Sequence, residues 1–411
     1  MRESSKRFNK FIFKSILLIK CFICLPSISS EISKTDKTFK KEYNPALLRI
    51  DFTSDPKKEE GYIDLTLITT SGNPIGKRQK VQKNEFFNQL RSFYTQVASI
   101  DSLNKSDPSS PTRQVYNYLI GSISNELIKQ KISTLLISTD SAFHSIPFAA
   151  LHNGKDWFGS QYAFSITPSI NLMQRAKSNY KKDSSTNKIL LAGATNFSEL
   201  SPLPLVNQEL KGISQILPSK TYLNDFFTSD IIKKDAISTD FNMVHIATHS
   251  EFIPKNPTES KLYFSKGFIT LREIDSLRLY RAEKPLELFV LSSCRSALGD
   301  DENELGIAGL ALQTGSHTAI GTLWYVDDIV TSAFFIRFYR ILEKGFPKAE
   351  ALRRTRIEFL NKLISFKDNN LIDYDGNILL RNLSNYQISI IKKEINHPFY
   401  WSAPVMLGKP W

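Results

Sequence analysis

Cysteine is scarce in this chain. Its 411 residues include three, and two of these, Cys21 and Cys24, fall within the first thirty positions. If those positions are removed, Cys294 remains alone and no internal disulfide can form. Cys294 is then either inert filler or a working thiol. Glycine-rich phosphate loops of the dinucleotide or P-loop type are missing, which argues against a nucleotide-dependent α/β enzyme. Histidine is sparse too: six are dispersed, and only His245 and His249 are close, with no third ligand near them. That pattern points to no metal site, and neither a metal nor an organic cofactor is expected. No repeat of fixed period recurs, so no solenoid is expected.

A confident membrane-spanning run is also lacking. The nearest approach is Ile16-Leu17-Leu18-Ile19 followed by Cys21-Phe22-Ile23-Cys24-Leu25, and Lys14 and Lys20 interrupt it. Residues 1–30 combine a basic start, this apolar stretch and Pro26-Ser27-Ile28-Ser29-Ser30, where Ser27 and Ser29 fit the small-x-small pattern before a cut. They read as a secretory signal, so an exported protein is expected. An uncleaved anchor and a cytoplasmic amphipathic leader are the other readings. Membrane contact is expected only if residues 1–30 stay attached. The net charge of +12 is uneven: this stretch holds six Lys or Arg against Glu3, and the remainder is mildly basic. Elsewhere the basic residues are scattered in short clusters such as Lys77-Arg78-Gln79-Lys80. That distribution describes a solvated surface, and no nucleic-acid partner is expected.

Hydrophobic residues make up 41% and aromatics 11%, enough for a sizeable core. Residues 31–60 are charged and polar and read as a loose lead-in. Residues 61–70 alternate like a strand, 84–98 have helical spacing, 113–130 have helical spacing again, and 133–138 form a strand. A Lys/Ser/Asp linker follows at 176–187. From 188 the rhythm is strand–helix–strand. Strands are expected at 188–194, 221–223, 243–248, 287–293, 317–325 and 402–407. Helices are expected at 204–216, 229–235, 303–314, 328–344 and 347–364. Such alternation argues an α/β fold with a mostly parallel sheet flanked by helices on both faces.

Two of these strands end on reactive side chains. Leu288-Phe289-Val290-Leu291-Ser292-Ser293 leads to Cys294, and Met243-Val244-His245-Ile246-Ala247-Thr248 leads to His249. The C-terminal edge of a parallel sheet is where ligands and chemistry gather. A thiol and an imidazole brought together there make a nucleophile and its base. Small polar neighbours (Ser292, Ser293, Arg295, Ser296) suggest that Cys294 sits in an open turn. His245 shares a strand face with His249, but a mid-strand side chain is packed and cannot reach the sheet edge.

The segments His245-Ile246-Ala247-Thr248-His249-Ser250, Val290 to Gly299 and Thr322-Leu323-Trp324-Tyr325-Val326-Asp327-Asp328 resemble the CHAT domain family. So do Ile146-Pro147-Phe148-Ala149-Ala150-Leu151 and His397-Pro398-Phe399-Tyr400-Trp401-Ser402-Ala403. This family is related to caspases and separase among the His–Cys peptidases. The resemblance makes 111–411 a CHAT domain with its caspase-like core at about 188–411, preceded by an N-terminal α+β extension at 31–110. It implies a His249–Cys294 dyad, an oxyanion hole made by the backbone N–H groups of Ser250 and Cys294, and cysteine endopeptidase activity on a protein or peptide, with room for a regulatory protein partner. Two residues depart from the family: Ser250 where glycine is usual, and Arg295 where Glu is frequent. A catalytically inactive CHAT-fold interaction module is the alternative.

Asp327 and Asp328 precede a helical stretch. An acidic residue there either caps the helix or meets substrate. Asp328 sits where separase-like relatives carry the acid that meets a basic side chain next to the scissile bond. Asp328 and Asp327 are therefore candidate substrate-binding residues, with capping the competing role for Asp327. Cleavage after Arg or Lys is expected.

Overall fold

The computed structural model describes residues 43–70, 72–100, 103–140, 143–167, 187–237, 240–253, 256–270, 272–273, 285–293, 316–392 and 394–411. The signal at 1–30, the linker apart from Asn187, and the helix expected at 303–314 lie outside them. The first elements are strands β1 (Pro45–Ser54), β2 (Glu60–Thr69) and β3 (Ile75–Gln82), then helix α1 (Lys83–Ala98). Helices α2 (Pro111–Leu119) and α3 (Ser124–Lys129) follow, then strands β4 (Thr134–Thr139) and β5 (Ala163–Thr167).

The second half begins with β6 (Ile189–Gly193), α4 (Val206–Ser214), β7 (Ser219–Leu223), α5 (Ser229–Ile237) and β8 (Met243–Ala247). Short strands β9 (Ser250–Glu251), β10 (Lys261–Tyr263) and β11 (Phe268–Thr270) make a three-stranded sheet of their own. Then come β12 (Leu288–Ser292), β13 (Thr318–Thr322), α6 (Asp328–Glu343) and α7 (Lys348–Leu360). A second small sheet of β14 (Ser365–Lys367), β15 (Asn370–Ile372) and β16 (Ile378–Leu380) precedes the last strand, β17 (Pro404–Gly408).

Eleven strands form one sheet in the order β3-β2-β1-β4-β5-β17-β13-β12-β8-β6-β7. β7, β6, β8, β12 and β13 run parallel. β17 lies antiparallel to β13, and β5, β4 and β1 run parallel to β17. β2 and β3 close that end antiparallel. Every residue of β6, β8, β12 and β13 is buried. Their sequences read as continuous apolar runs because both faces are covered.

The mostly parallel sheet expected from 188 onward is present. Two local readings are corrected. The lead-in expected at 31–60 contains β1, ten residues long and paired on both sides. Ala46, Leu48 and Ile50 point into the core, while Arg49 and Asp51 pair with each other on the other face. That outer ion pair disguised an alternating strand. The helix expected at 113–130 is broken: α2 ends at Leu119, and a 3-10 turn at Gly121–Ile123 separates it from α3. The cluster Lys77-Arg78-Gln79-Lys80 lies in the edge strand β3, where Arg78 pairs with Asp64 and Lys80 with Glu60 of β2. Charged residues on an edge discourage pairing with another chain. Among the described residues, no helix is long and apolar enough to cross a membrane.

Candidate active site

The strands β8 and β12 pair in parallel, and their register fixes the site. Met243 lies opposite Leu288, His245 opposite Val290 and Ala247 opposite Ser292, an offset of 45 throughout. Just past the last pair the Thr248 N–H donates to the Ser292 carbonyl at 3.3 Å. One step further, the Ser293 hydroxyl donates to the Ser250 hydroxyl at 2.9 Å. The Thr322 hydroxyl at the end of β13 donates to the Ser293 carbonyl at 2.6 Å. Three strand ends are therefore tied together by hydroxyl groups. Cys294 follows Ser293 and lies outside the described residues, as does Arg295.

His249 is partly exposed and is held from outside the strand. Its Nε2 lies 2.8 Å from the Ser201 carbonyl, and its ring packs on Phe197 with centroids 4.7 Å apart. A carbonyl only accepts, so Nε2 carries the proton in this bond. The neutral ring then offers Nδ1 as the basic nitrogen. The loop that carries Phe197 and Ser201 leaves β6 at Gly193. A Cβ at Gly193 would sit 2.5 Å from the Ala247 carbonyl oxygen and 2.8 Å from Val206 Cγ1. Glycine is required there by close approach, and it lets the loop pass against the end of β8.

Ser250 opens β9 and pairs with Leu262. It is not among the residues with positive φ. The glycine usual at this place in the family is therefore not needed here for backbone freedom.

His245 is fully buried and bonded inward. Its Nε2 meets Glu209 Oε1 at 2.9 Å, and its Nδ1 lies 3.3 Å from the Tyr339 hydroxyl. Glu209 Oε2 accepts from the Ser332 hydroxyl at 2.8 Å. Burial raises the Tyr339 phenol well above its ordinary pKa, so the hydroxyl keeps its proton. This packed position agrees with the reading that His245 cannot serve as the base at the sheet edge.

Beside these strand ends lies a small cleft, partly open to solvent, walled in large part by Leu203, Val206 and Val326. Its walls include Thr248, Ser292, Ser293, Thr322, Glu209 and Asp328. Asp328 is the first residue of α6, and its Oδ2 accepts from the Leu205 N–H at 3.3 Å. Burial raises its carboxyl to about 6; the Leu205 N–H opposes this, and the charges of Asp327 and Glu209 add to it. Asp327 caps α6, accepting from the Ile329 N–H at 2.9 Å. Of the two candidate carboxylates, Asp328 lines the cleft and Asp327 takes the capping role. The segment leading to them is braced by the Tyr94 hydroxyl, which donates to the Leu323 carbonyl at 3.1 Å. The Trp324 indole adds a second brace, donating to the Phe399 carbonyl at 3.0 Å.

Sequence reasoning did not single out Glu209. A signal was present, because Val206, Glu209, Leu210 and Ile213 fall on the buried face of α4. An acid within an apolar stripe needs a partner, and His245 in a neighbouring apolar strand supplies it.

A family model for the CHAT domain matches residues 109–409. The chain belongs to the CHAT domain family. Among solved structures it is similar to separase in the Saccharomyces cerevisiae separase–securin complex. At 3.0 Å resolution that complex gives a TM-score of 0.51 at 12% identity, covering 93% of this chain and 31% of that one. The 2.6 Å structure of the same complex gives 0.48 at 12% identity, with the same coverages. The Arg-specific cysteine proteinase gingipain R gives 0.44 at 10% identity, covering 79% of this chain and 73% of that one. The chain thus spans about a third of the separase chain. No curated protein matches the sequence. The fold of this CHAT domain is caspase-like. Its ending segment His397–Ala403 carries Trp401, which packs edge-on to Trp157 with centroids 5.5 Å apart.

Proposed function

We propose that this CHAT domain is a cysteine endopeptidase with a His249–Cys294 dyad. The observation that carries the reading is the β8–β12 register. Each described pair is 45 residues apart, and so are His249 and Cys294 in the sequence. The bond from His249 Nε2–H to the Ser201 carbonyl supplies the orienting third group that such dyads use. In this reading Nδ1 of His249 takes the thiol proton and the thiolate attacks the scissile carbonyl. The proton then passes to the leaving amine, and water cleaves the thioester. The N–H groups of Ser250 and Cys294 hold the oxyanion, each worth about 3–4 kcal/mol in comparable sites.

The cleft carrying Asp328 receives the side chain before the scissile bond. An unpaired desolvated carboxylate is costly, so a basic side chain is favoured and cleavage follows Arg or Lys. The solved separase structures hold that enzyme with securin, and we assign a regulatory protein partner to this chain by analogy of fold. Residues 1–30 are taken as a cleavable signal, so the exported chain begins near Ser30 or Glu31. N-terminal sequencing of secreted or periplasmic protein checks that start, and a chain found intact from Met1 in the cytoplasm overturns it.

The test of the dyad is labelling with an acyloxymethyl ketone that carries Arg or Lys. Wild type should label and Cys294→Ala should not. His249→Ala should slow alkylation of Cys294 by iodoacetamide at least tenfold near pH 7. An unchanged rate, with no peptide cleaved, makes the chain an inactive CHAT-fold interaction module.

A further inference from the structure

The loop that holds His249 is anchored at its base by a residue from another strand end. β6 and β7 pair in parallel as far as Gly193 and Leu223. Thr195 stands two positions past Gly193, and Asn224 stands one position past Leu223. The Asn224 carboxamide oxygen accepts from the Thr195 N–H at 2.8 Å and from the Thr195 hydroxyl at 3.0 Å. The Leu203 N–H donates back to the Thr195 carbonyl at 2.9 Å, which closes residues 195–203 into a loop whose ends meet. Phe197 and Ser201 lie inside that loop, and both meet the His249 ring. The Thr195 hydroxyl also accepts from Asn196 Nδ2 at 3.1 Å, so the anchoring continues into the loop.

Asn224 has left-handed backbone, with φ of 53°, a conformation that asparagine tolerates better than most side chains. An asparagine in a turn commonly bonds the backbone of that same turn. Here the backbone closes the turn by itself, the Phe227 N–H donating to the Asn224 carbonyl at 2.8 Å. The side-chain oxygen is used on Thr195, 29 positions away. We infer that Asn224 is a positioning residue for His249. It fixes the neck of the 195–203 loop, so that the Ser201 carbonyl keeps the imidazole proton on Nε2 and leaves Nδ1 basic. This rests on the reading of His249 as the base of the dyad. A loop closed by one backbone bond can slide at its neck. A second anchor that takes both donors of Thr195 removes that freedom before a substrate arrives. A shift of about 1 Å at Ser201 would stretch its contact with Nε2 out of hydrogen-bond range, and the ring would then hold its proton on either nitrogen.

The test separates the side chain from the backbone. Asn224→Gly keeps the left-handed conformation and deletes the acceptor, whereas Asn224→Asp keeps an acceptor oxygen in the same place. Nitrogen NMR of ring-labelled histidine in full-length Cys294→Ala protein reads the tautomer at mildly alkaline pH, where imidazole is neutral. A His249→Gln sample assigns the signal. His249 should hold its proton on Nε2 in the parent protein. Asn224→Gly should turn it into a mixture of both tautomers, and Asn224→Asp should keep the parent signal. His152 is the internal control, because its Nδ1 accepts from the Gly154 N–H at 2.9 Å and it lies outside this loop. An unchanged His249 in Asn224→Gly, a matching change at His152, or Asn224→Asp behaving like Asn224→Gly overturns the inference. If Asn224→Gly fails to fold, Thr195→Val takes its place: it deletes one of the two donors and should shift His249 the same way, and no shift overturns the inference. In protein that keeps Cys294, alkylation by iodoacetamide is read at the Cys294 peptide by mass spectrometry. Asn224→Gly should slow it about tenfold near pH 7, with Asn224→Asp within about twofold of wild type. A rate that His249→Ala lowers and Asn224→Gly does not overturns the inference. If His249→Ala also leaves the rate unchanged, the dyad reading fails, and the tautomer measurement still decides the role of Asn224.

Discussion

At Asp328 the consequences for stability and for the proposed function run in opposite directions. Its carboxyl is raised to about 6, against an ordinary value of 3.8, because burial penalises the charged form. The folded protein therefore holds a proton there that the unfolded chain releases near pH 4. Between about pH 4 and 6 the native state binds more protons than the unfolded one, so this group makes stability fall as pH rises. Asp328→Asn removes the penalty. At pH 7 its thermal midpoint should rise by roughly 1–3 °C, measured by scanning calorimetry, while at pH 4 it should match wild type. Activity should move the opposite way. Wild-type kcat/KM on an Arg peptide should climb through pH 6, and Asp328→Asn should lose both that limb and most of the preference for basic side chains. A midpoint that drops at pH 7 would show that the bond to the Leu205 N–H outweighs the burial cost. At this scale the sequence was informative where a chemistry-bearing residue ends an apolar run, as His249 does past β8; Cys294 lies outside the described residues. It also named Asp327 as the capping candidate, and Asp327 does cap α6, although which of two adjacent carboxylates caps depends on where α6 begins to a single residue. Glu209 escaped notice because its partner lies on a separate element, 36 positions away.

Between elements, the decisive contact is the passage of the β6 loop against the end of β8. Gly193 permits it, and the loop carries Phe197 and Ser201 to the His249 ring. Gly193→Ala inserts a methyl group 2.5 Å from a backbone oxygen, which the backbone must yield to. Overpacking of this kind costs about 1–3 kcal/mol, and it acts on the loop that fixes the tautomer of His249. The expected result is a modest fall in chemical stability with a disproportionate fall in kcat, about tenfold, and KM nearly unchanged. Urea unfolding together with steady-state kinetics separates the two effects; a loss of stability with kcat intact would show that the loop finds its place without that glycine. The strand–helix rhythm of β6, α4, β8 and β12 was legible because both-face burial writes continuous apolar runs. β1 was not, because its exposed face carries Arg49 and Asp51 and it lies among charged residues.

For the whole molecule, the correction at β1 changes what counts as one folding unit. The family match begins at residue 109, yet the sheet does not. β1 pairs with β4 along six positions, Pro45 with Thr134 through Ile50 with Thr139. α1 buries Phe86, Leu90, Phe93 and Val97, and its Tyr94 braces the segment that leads to Asp328. A fragment spanning 109–411 would expose the edge of β4 and the core face that β1, β2 and α1 cover. A long, flat, apolar edge invites aggregation, and stability scales with apolar area removed from water. Residues 45–411 should therefore express as a soluble, cooperatively unfolding protein, and residues 109–411 should aggregate or unfold without a transition. A milder probe is Leu48→Ala, which empties a fully buried position of β1 and should cost about 2–5 kcal/mol with the peptide preference unchanged. If 109–411 instead folds with wild-type stability and cleaves the same peptides, the first three strands are an accessory layer, and the brace from Tyr94 to Leu323 does not position the cleft.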